Sequence, residues 1–290
     1  MIPTAFDYVR RASLDEALAL LASGGDGTKV ICGGQSLLPL LKLRLAHVDR
    51  LVDVSRLGEL KGVREGEAGG LVIGAATTYR DLLDSEVAGA RFPILHEVTQ
   101  DIGDVQVRNR GTVGGSLAHA DPASDMPAVA LALNAQLVLR SSQGHRTVSA
   151  DGFFVGTFAT TATPTELLVE LHLPALPSGA GTAYRQLPQL ASGYSLVGVA
   201  AVVACGGGKV THARVGITGV GEVAYRATAV EAALIGTDGG PEAIAAATAH
   251  AADGQVVNSD MHADGAYRTA MAAVITRRAL EAAIARAATG

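Results

Sequence analysis

The sequence predicts an α+β fold in two parts, and three observations lead to it. First, short β-branched runs at 30–32 and 50–54 flank a leucine-rich stretch at 37–45, the pattern of a strand–helix–strand unit. Second, residues 182–185, 195–205 and 210–218 read as a three-stranded antiparallel meander, with Gly206, Gly207 and Gly208 turning its last hairpin. Third, beyond residue 228 the chain becomes alanine-rich, the composition of helices.

Taken in order, Ser13 and Glu16 have capping-box spacing ahead of Ala17, Leu18, Leu20 and Leu21. The glycines around Asp26 end that helix, and residues 1–55 form a small α/β unit. Residues 70–75 are strand-like. Thr78 and Asp81 make a second capping box that opens a short helix, and 93–101 is helical. A β-branched segment at 105–110 leads into a glycine loop at 111–116. Asp125 is expected as the N-cap of a helix running to Leu133, with Pro127 in its first turn. Residues 135–140 alternate as a strand that turns at 142–144 into 146–148. A further strand at 166–173 is closed by Pro174. Residues 174–181, rich in Pro, Gly and Ala, read as a linker. The expected domains are therefore 1–175, with subdomains of about 1–55 and 56–175, and 176–290. In the second domain, helices are expected at 228–235, 241–252 and 267–288. The last is amphipathic, with Arg268, Arg277, Arg278, Glu281 and Arg286 among apolar residues.

Composition narrows the function. The chain has 290 residues, 48% hydrophobic and 18% charged, enough for a sizeable core. Its net charge of −5, its lack of a long basic run, its 4% aromatics and its absence of Trp argue against a nucleic-acid partner. Cys32 and Cys205 are far apart and in no C-x-x-C pattern. That excludes a disulfide framework, a zinc knuckle and a self-contained iron–sulfur cluster. The longest apolar run, 196–205, falls short of the about 20 residues that span a bilayer. Residues 1–8 show neither a basic nor an apolar targeting region, so a cytoplasmic protein is expected.

Two stretches bear on chemistry. Cys32-Gly33-Gly34-Gln35-Ser36-Leu37 joins a strand to a helix, and Gly111-Thr112-Val113-Gly114-Gly115-Ser116 has the same character. Paired glycines permit positive φ and close approach, and a helix start offers unpaired N–H groups to an anion. Neither loop is a P-loop or a Gly-x-Gly-x-x-Gly fingerprint. Each alone also reads as an ordinary turn; together they favour a diphosphate cradle built from main-chain N–H groups. Gly216, Gly219 and Gly221 need only turn the chain. Asp121 and Asp125 read as caps rather than an acid–base pair, and Asp125 can also accept from a ligand hydroxyl. The eight histidines show no metal spacing, and no Gly-x-Ser-x-Gly elbow occurs, so no catalytic or metal-ligating residue is assigned. Tyr194 is either core or one of the few aromatics that can meet a flat ring.

The stretches 32–42, 112–116 and 121–125, with Ala191-Ser192-Gly193-Tyr194-Ser195, resemble the FAD-binding medium subunit of molybdenum hydroxylases, the xanthine dehydrogenase family. The likeness is greatest to its aerobic carbon monoxide dehydrogenase branch and runs over essentially the whole chain. Cys32 stands where alanine is frequent and Ser116 where asparagine is. The resemblance implies a two-subdomain FAD-binding domain of the vanillyl-alcohol-oxidase (PCMH) type, then a carbon monoxide dehydrogenase flavoprotein-type C-terminal domain. It implies non-covalent FAD held at its pyrophosphate by Cys32, Gly33, Gly34, Gln35, Ser36 and Leu37 and by Gly111, Thr112, Val113, Gly114, Gly115 and Ser116. Asp125 would bond to the cofactor, Ile102 and Leu168 would pack near it, and Arg185 and Tyr194 would approach from the C-terminal domain. The implied activity is electron transfer within an oxidoreductase. The implied partners are a large molybdenum-cofactor subunit and a small [2Fe–2S] subunit, as a dimer of heterotrimers. A stand-alone flavin oxidase or reductase and a nucleotide-binding regulatory module are the alternatives.

Overall fold

Three sheets organise the computed structural model, which describes residues 2–287. The first comprises β1 (Asp7–Arg10), α1 (Leu14–Gly24), β2 (Thr28–Ile31), α2 (Leu37–Leu43) and β3 (Arg50–Asp53). Its strands are parallel in the order β1-β3-β2. The Ser13 hydroxyl accepts from the Glu16 N–H, and the helix it opens buries Leu14, Ala17, Leu18 and Leu21 on one face. The helix expected to reach residue 45 ends two residues early, because Arg44 caps it in the left-handed conformation (φ 59°). β1 has no counterpart in the sequence reading. Its residues are mostly exposed, so no apolar alternation marks it.

The second sheet is antiparallel, in the order β4-β5-β10-β6-β7. β4 (Val63–Glu65) and β5 (Leu71–Gly74) lead into six helices: α3 (Tyr79–Leu83), α4 (Glu86–Arg91), α5 (Pro93–Asp101), α6 (Val105–Arg108), α7 (Val113–His119) and α8 (Asp125–Ala132). The sheet resumes with β6 (Gln136–Ser141), β7 (Gly144–Ser149), the small hairpin β8 (Phe154–Gly156) and β9 (Ala159–Thr160), and β10 (Leu167–Leu173). Thr78 and Asp81 form the expected reciprocal box. One segment is newly placed and one expectation is corrected. The β-branched segment before the second glycine loop is helical, because Asp104 caps it through the Val107 N–H at 2.7 Å. Asp125 is the first residue of α8 rather than its cap; Ser124 holds the cap position, and the Asp125 side chain turns into the core.

The third sheet is antiparallel, with β11 (Gly181–Pro188), β12 (Ser195–Gly206), β13 (Lys209–Thr218) and β14 (Tyr225–Arg226) in that order. It has four strands rather than the three read from sequence, since β14 is only two residues long and shows no periodicity. α9 (Thr228–Leu234) and α10 (Pro241–Thr248) precede α11 (Gly265–Ala287). The helix expected to end at Ala288 has that last residue outside the described ones. α11 buries Ala272, Ile275, Ala279 and Ala283 against one face of the sheet.

The opposite face meets α8, whose eight residues are all buried. A helix apolar all round fits this position between two layers. A Cβ at Gly216 would lie 2.0 Å from the Ala128 carbonyl oxygen, so this glycine permits close packing and does more than turn the chain. Thr218 Oγ1 donates to the carbonyls of Pro122 and Ser124, and the Gly219 N–H donates to Pro122. The loop ahead of α8 is thus stitched to the third sheet. Glu97 of α5 adds a polar clasp by accepting from the Tyr184 N–H and pairing with Arg185 and Arg286.

Candidate functional site

The three layers enclose a cavity of about 760 Å³, within the about 300–1,000 Å³ usual for small-molecule sites. Cys32, Gly33, Gly34, Gln35, Ser36 and Leu37 line it from one side. Gly111, Thr112, Gly114, Gly115 and Ser116 line it from another, with Ile102, Asp125, Leu168 and Tyr194 around them. The fold does not bring Val113 or Arg185 to the wall. Val113 is fully buried in the core, and Arg185 turns away to Glu97 and the Tyr184 carbonyl.

The loops abut: a Cβ on Gly33 would fall 2.3 Å from the Arg110 carbonyl oxygen. Gly34 takes φ +75°, and its carbonyl accepts the Leu38 N–H at 3.0 Å. Among the described residues, the main-chain N–H groups of Gly33, Gly34, Gln35, Ser36 and Leu37 donate to no protein acceptor. Five such donors at a cavity wall, ahead of a helix, form an anion cradle.

The second loop differs. Its N–H groups at Val113 and Gly114 donate to the carbonyls of Thr77 (3.1 Å) and Ala75 (2.9 Å). Those at Gly115 and Ser116 are taken by Thr112, through Oγ1 at 3.2 Å and the carbonyl at 3.1 Å. A Cβ on Gly114 would lie 2.4 Å from the Ala75 Cβ, so this glycine serves helix–strand packing. Main-chain donation to an anion is therefore concentrated in the first loop.

Between the loops, burial pushes the Cys32 thiol up, keeping it neutral. Tyr194 is 44% exposed and presents a flat ring at the wall, which Ser36 also lines. Asp125 is 6% exposed; its Oδ1 accepts from Tyr184 Oη at 2.5 Å and from Ser195 Oγ at 2.6 Å. Burial pushes its carboxyl up to about 6, against the pull of those two hydroxyls.

Sequence reasoning missed several wall residues. His119 and Phe158 line the cavity with ring centroids 5.0 Å apart, and Phe158 sits at φ +57° in the β8–β9 turn. Tyr184 and Ser195 stand behind Asp125. Only the Gly193-Tyr194-Ser195 cluster offered a local signal; β-strand alternation cannot mark Tyr184 as polar-bonded. Among the described residues, no group of three or more His, Cys, Asp or Glu could hold a metal, and no helix is long and apolar enough to cross a membrane.

An anion cradle, a flat aromatic and a buried carboxyl around one cavity define a protein that binds a dinucleotide-type cofactor. The chain belongs to the family of the FAD binding domain in molybdopterin dehydrogenase, whose model matches residues 4–176. The model of the CO dehydrogenase flavoprotein C-terminal domain matches residues 182–283. The chain is 42% identical over 288 residues to the carbon monoxide dehydrogenase medium chain of Hydrogenophaga pseudoflava, covering 99% of this chain and 100% of that one. Among solved structures it resembles carbon monoxide dehydrogenase from the same organism, lacking the Mo-pyranopterin moiety of the molybdenum cofactor. The TM-score is 0.96 at 44% identity, with 99% of each chain covered. It also resembles quinoline 2-oxidoreductase from Pseudomonas putida 86, with a TM-score of 0.92, 35% identity, and 99% and 100% coverage. The relatives are oxidoreductase subunits, and FAD is the cofactor of this family's domain. The residues present fit it: five N–H donors free among the described residues would meet a diphosphate, and the cavity has room for a long ligand.

Proposed function

We propose that the chain is the FAD-binding electron-transfer subunit of a molybdenum hydroxylase. It passes electrons from the [2Fe–2S] clusters of a small partner subunit, by way of FAD, to an external acceptor. A large partner subunit holds the molybdenum cofactor, and the complex is a cytoplasmic dimer of heterotrimers. The observation that carries the reading is the set of five unpartnered N–H groups at 33–37, facing a cavity in a chain that matches a carbon monoxide dehydrogenase medium chain end to end.

FAD supplies the redox chemistry, taking up and releasing electrons singly or in pairs. This chain binds and orients it. The main chain of Gly33 to Leu37 holds the diphosphate, with Cys32 beside it and the Thr112 N–H adding one further donor. Gly111, Gly114, Gly115 and Ser116 shape the opposite wall. Ile102 and Leu168 give apolar contact, Tyr194 a flat face, and Asp125 a polar bond. Val113 and Arg185 act from behind the wall, as core packing and as the clasp to Glu97. Residues 1–175 and 176–290 work as two domains sharing this site. Relatives named for carbon monoxide and for quinoline share the fold, so substrate choice belongs to the molybdenum subunit.

Two measurements test the proposal. The purified chain, reconstituted with FAD, should show flavin absorption bands; their absence would leave only a nucleotide-binding module. Expressed with its genomic neighbours, the chain should co-purify with a molybdenum subunit and a [2Fe–2S] subunit. A chain that stayed alone and oxidised a small molecule by itself would instead be an oxidase in its own right.

A further inference from the structure

The carboxyl of Asp125 lies in a place built for a proton. Oδ1 is pinned by two hydroxyls of the third sheet, while Oδ2 has no protein partner among the described residues. No Arg, Lys or His pairs with the group among them. A carboxylate on a residue only 6% exposed, with no cation paired to it, is costly, and protonation lowers that cost. The neighbouring ionisable groups add no positive charge: Tyr184 on β11, Tyr194 ahead of β12, Tyr79 on α3 and Asp101 at the end of α5. His119 on α7 lines the same cavity, and burial pushes its pKa down.

The cradle is close by. Ser124, next to Asp125, meets Ser116 of the second loop at 2.6 Å between hydroxyl oxygens. Tyr194, on the same wall as Ser36 of the first loop, also feels the Asp125 charge. A diphosphate held at Gly33 to Leu37 therefore brings negative charge into the cavity that Asp125 lines.

We propose that Asp125 is a proton-holding residue that couples cofactor binding to the uptake of a proton, its neutral carboxyl facing the bound dinucleotide. The inference rests on the flavin reading above. Its sign follows from linkage. The free carboxyl titrates at about 6, and an incoming anion raises that further. Above about pH 6 binding then takes up a proton, and affinity falls as pH rises.

Flavin-fluorescence titration of the full chain between about pH 5.5 and 8.5 tests this. The wild type should lose affinity as pH rises above about 6, by at most about tenfold per pH unit, until the carboxyl of the bound state loses its own proton. Asp125→Asn keeps an acceptor for Tyr184 and Ser195 and a donor in place of the acid proton, so its affinity should be nearly independent of pH. His119→Gln, which removes one imidazole of the wall, should keep the slope. Calorimetry of the wild type in two buffers of different ionisation enthalpy should show net proton uptake at about pH 7. A flat wild-type profile, absence of proton uptake, or an Asp125→Asn variant that keeps the slope would overturn the inference. Failure of the wild type to bind flavin at any pH would overturn the flavin reading itself, and this inference with it.

Discussion

The loops at 33–37 and 111–116 share a composition and divide the labour. Both place adjacent glycines at a helix start, ahead of α2 in the first and in the first turn of α7 in the second, and both line the cavity. In the first, five consecutive N–H groups find no protein acceptor, and Gly34 at φ +75° shapes the turn that leaves them open. In the second, the donors from Val113 to Ser116 are consumed by Thr77, Ala75 and Thr112, and Gly114 brings α7 against the end of β5. Glycine in the first loop leaves main-chain donors open at the cavity wall; in the second it permits the packing of α7 on β5.

Substitutions separate the two roles. The largest effect is expected from Gly34→Val. A β-branched residue at φ +75° is strained by about 1–3 kcal/mol and disturbs the donor array. FAD affinity should fall by roughly 100-fold or more, equal to at least about 2.7 kcal/mol. The third-sheet domain should keep its melting behaviour. The flavin-to-protein ratio after gel filtration checks this, and stoichiometric FAD in the variant would break the comparison.

Gly114→Ala should act through the fold. Its methyl would meet Ala75 at 2.4 Å, an overpacking worth about 1–3 kcal/mol. Melting should drop by roughly 3–10 °C by calorimetry, while the folded fraction keeps its flavin. Loss of FAD without a melting shift would show that the second loop is also a donor site. The smallest effect is expected from Thr112→Val, which keeps the shape and removes the cap on the Gly115 N–H at 3.2 Å. About 1 kcal/mol of stability, or roughly 2–4 °C, should go, measured in the same way.

Some of this was legible in the residues. The cap at Ser13, whose Glu16 accepts from Ala12 rather than closing the expected box, the box at Thr78, the helix Pro93–Asp101 and the Gly206–Gly208 hairpin follow from contacts within a few residues. Both glycine loops were visible for the same reason. Which loop keeps its donors free was not, because the acceptors Thr77 and Ala75 lie more than thirty positions from Val113 and Gly114. Arg185 was expected at the cofactor and is held by Glu97, 88 positions earlier. β1 and β14 exist only through their partners, β3 and β13.

Asp125 draws the line most sharply. The sequence alone determined that a polar residue opens a helix beside Pro127, since capping and proline preferences act over one turn. It likewise determined where the anion-seeking loop lies, because glycine pairs and helix starts are local features. Only the tertiary structure decided that the Asp125 carboxyl is buried, bonded to Tyr184 and Ser195 at separations of 59 and 70 positions, and turned to the cavity. Its protonation depends on the solvent that the packed third sheet removes, and desolvation belongs to the assembled layers rather than to any stretch of chain.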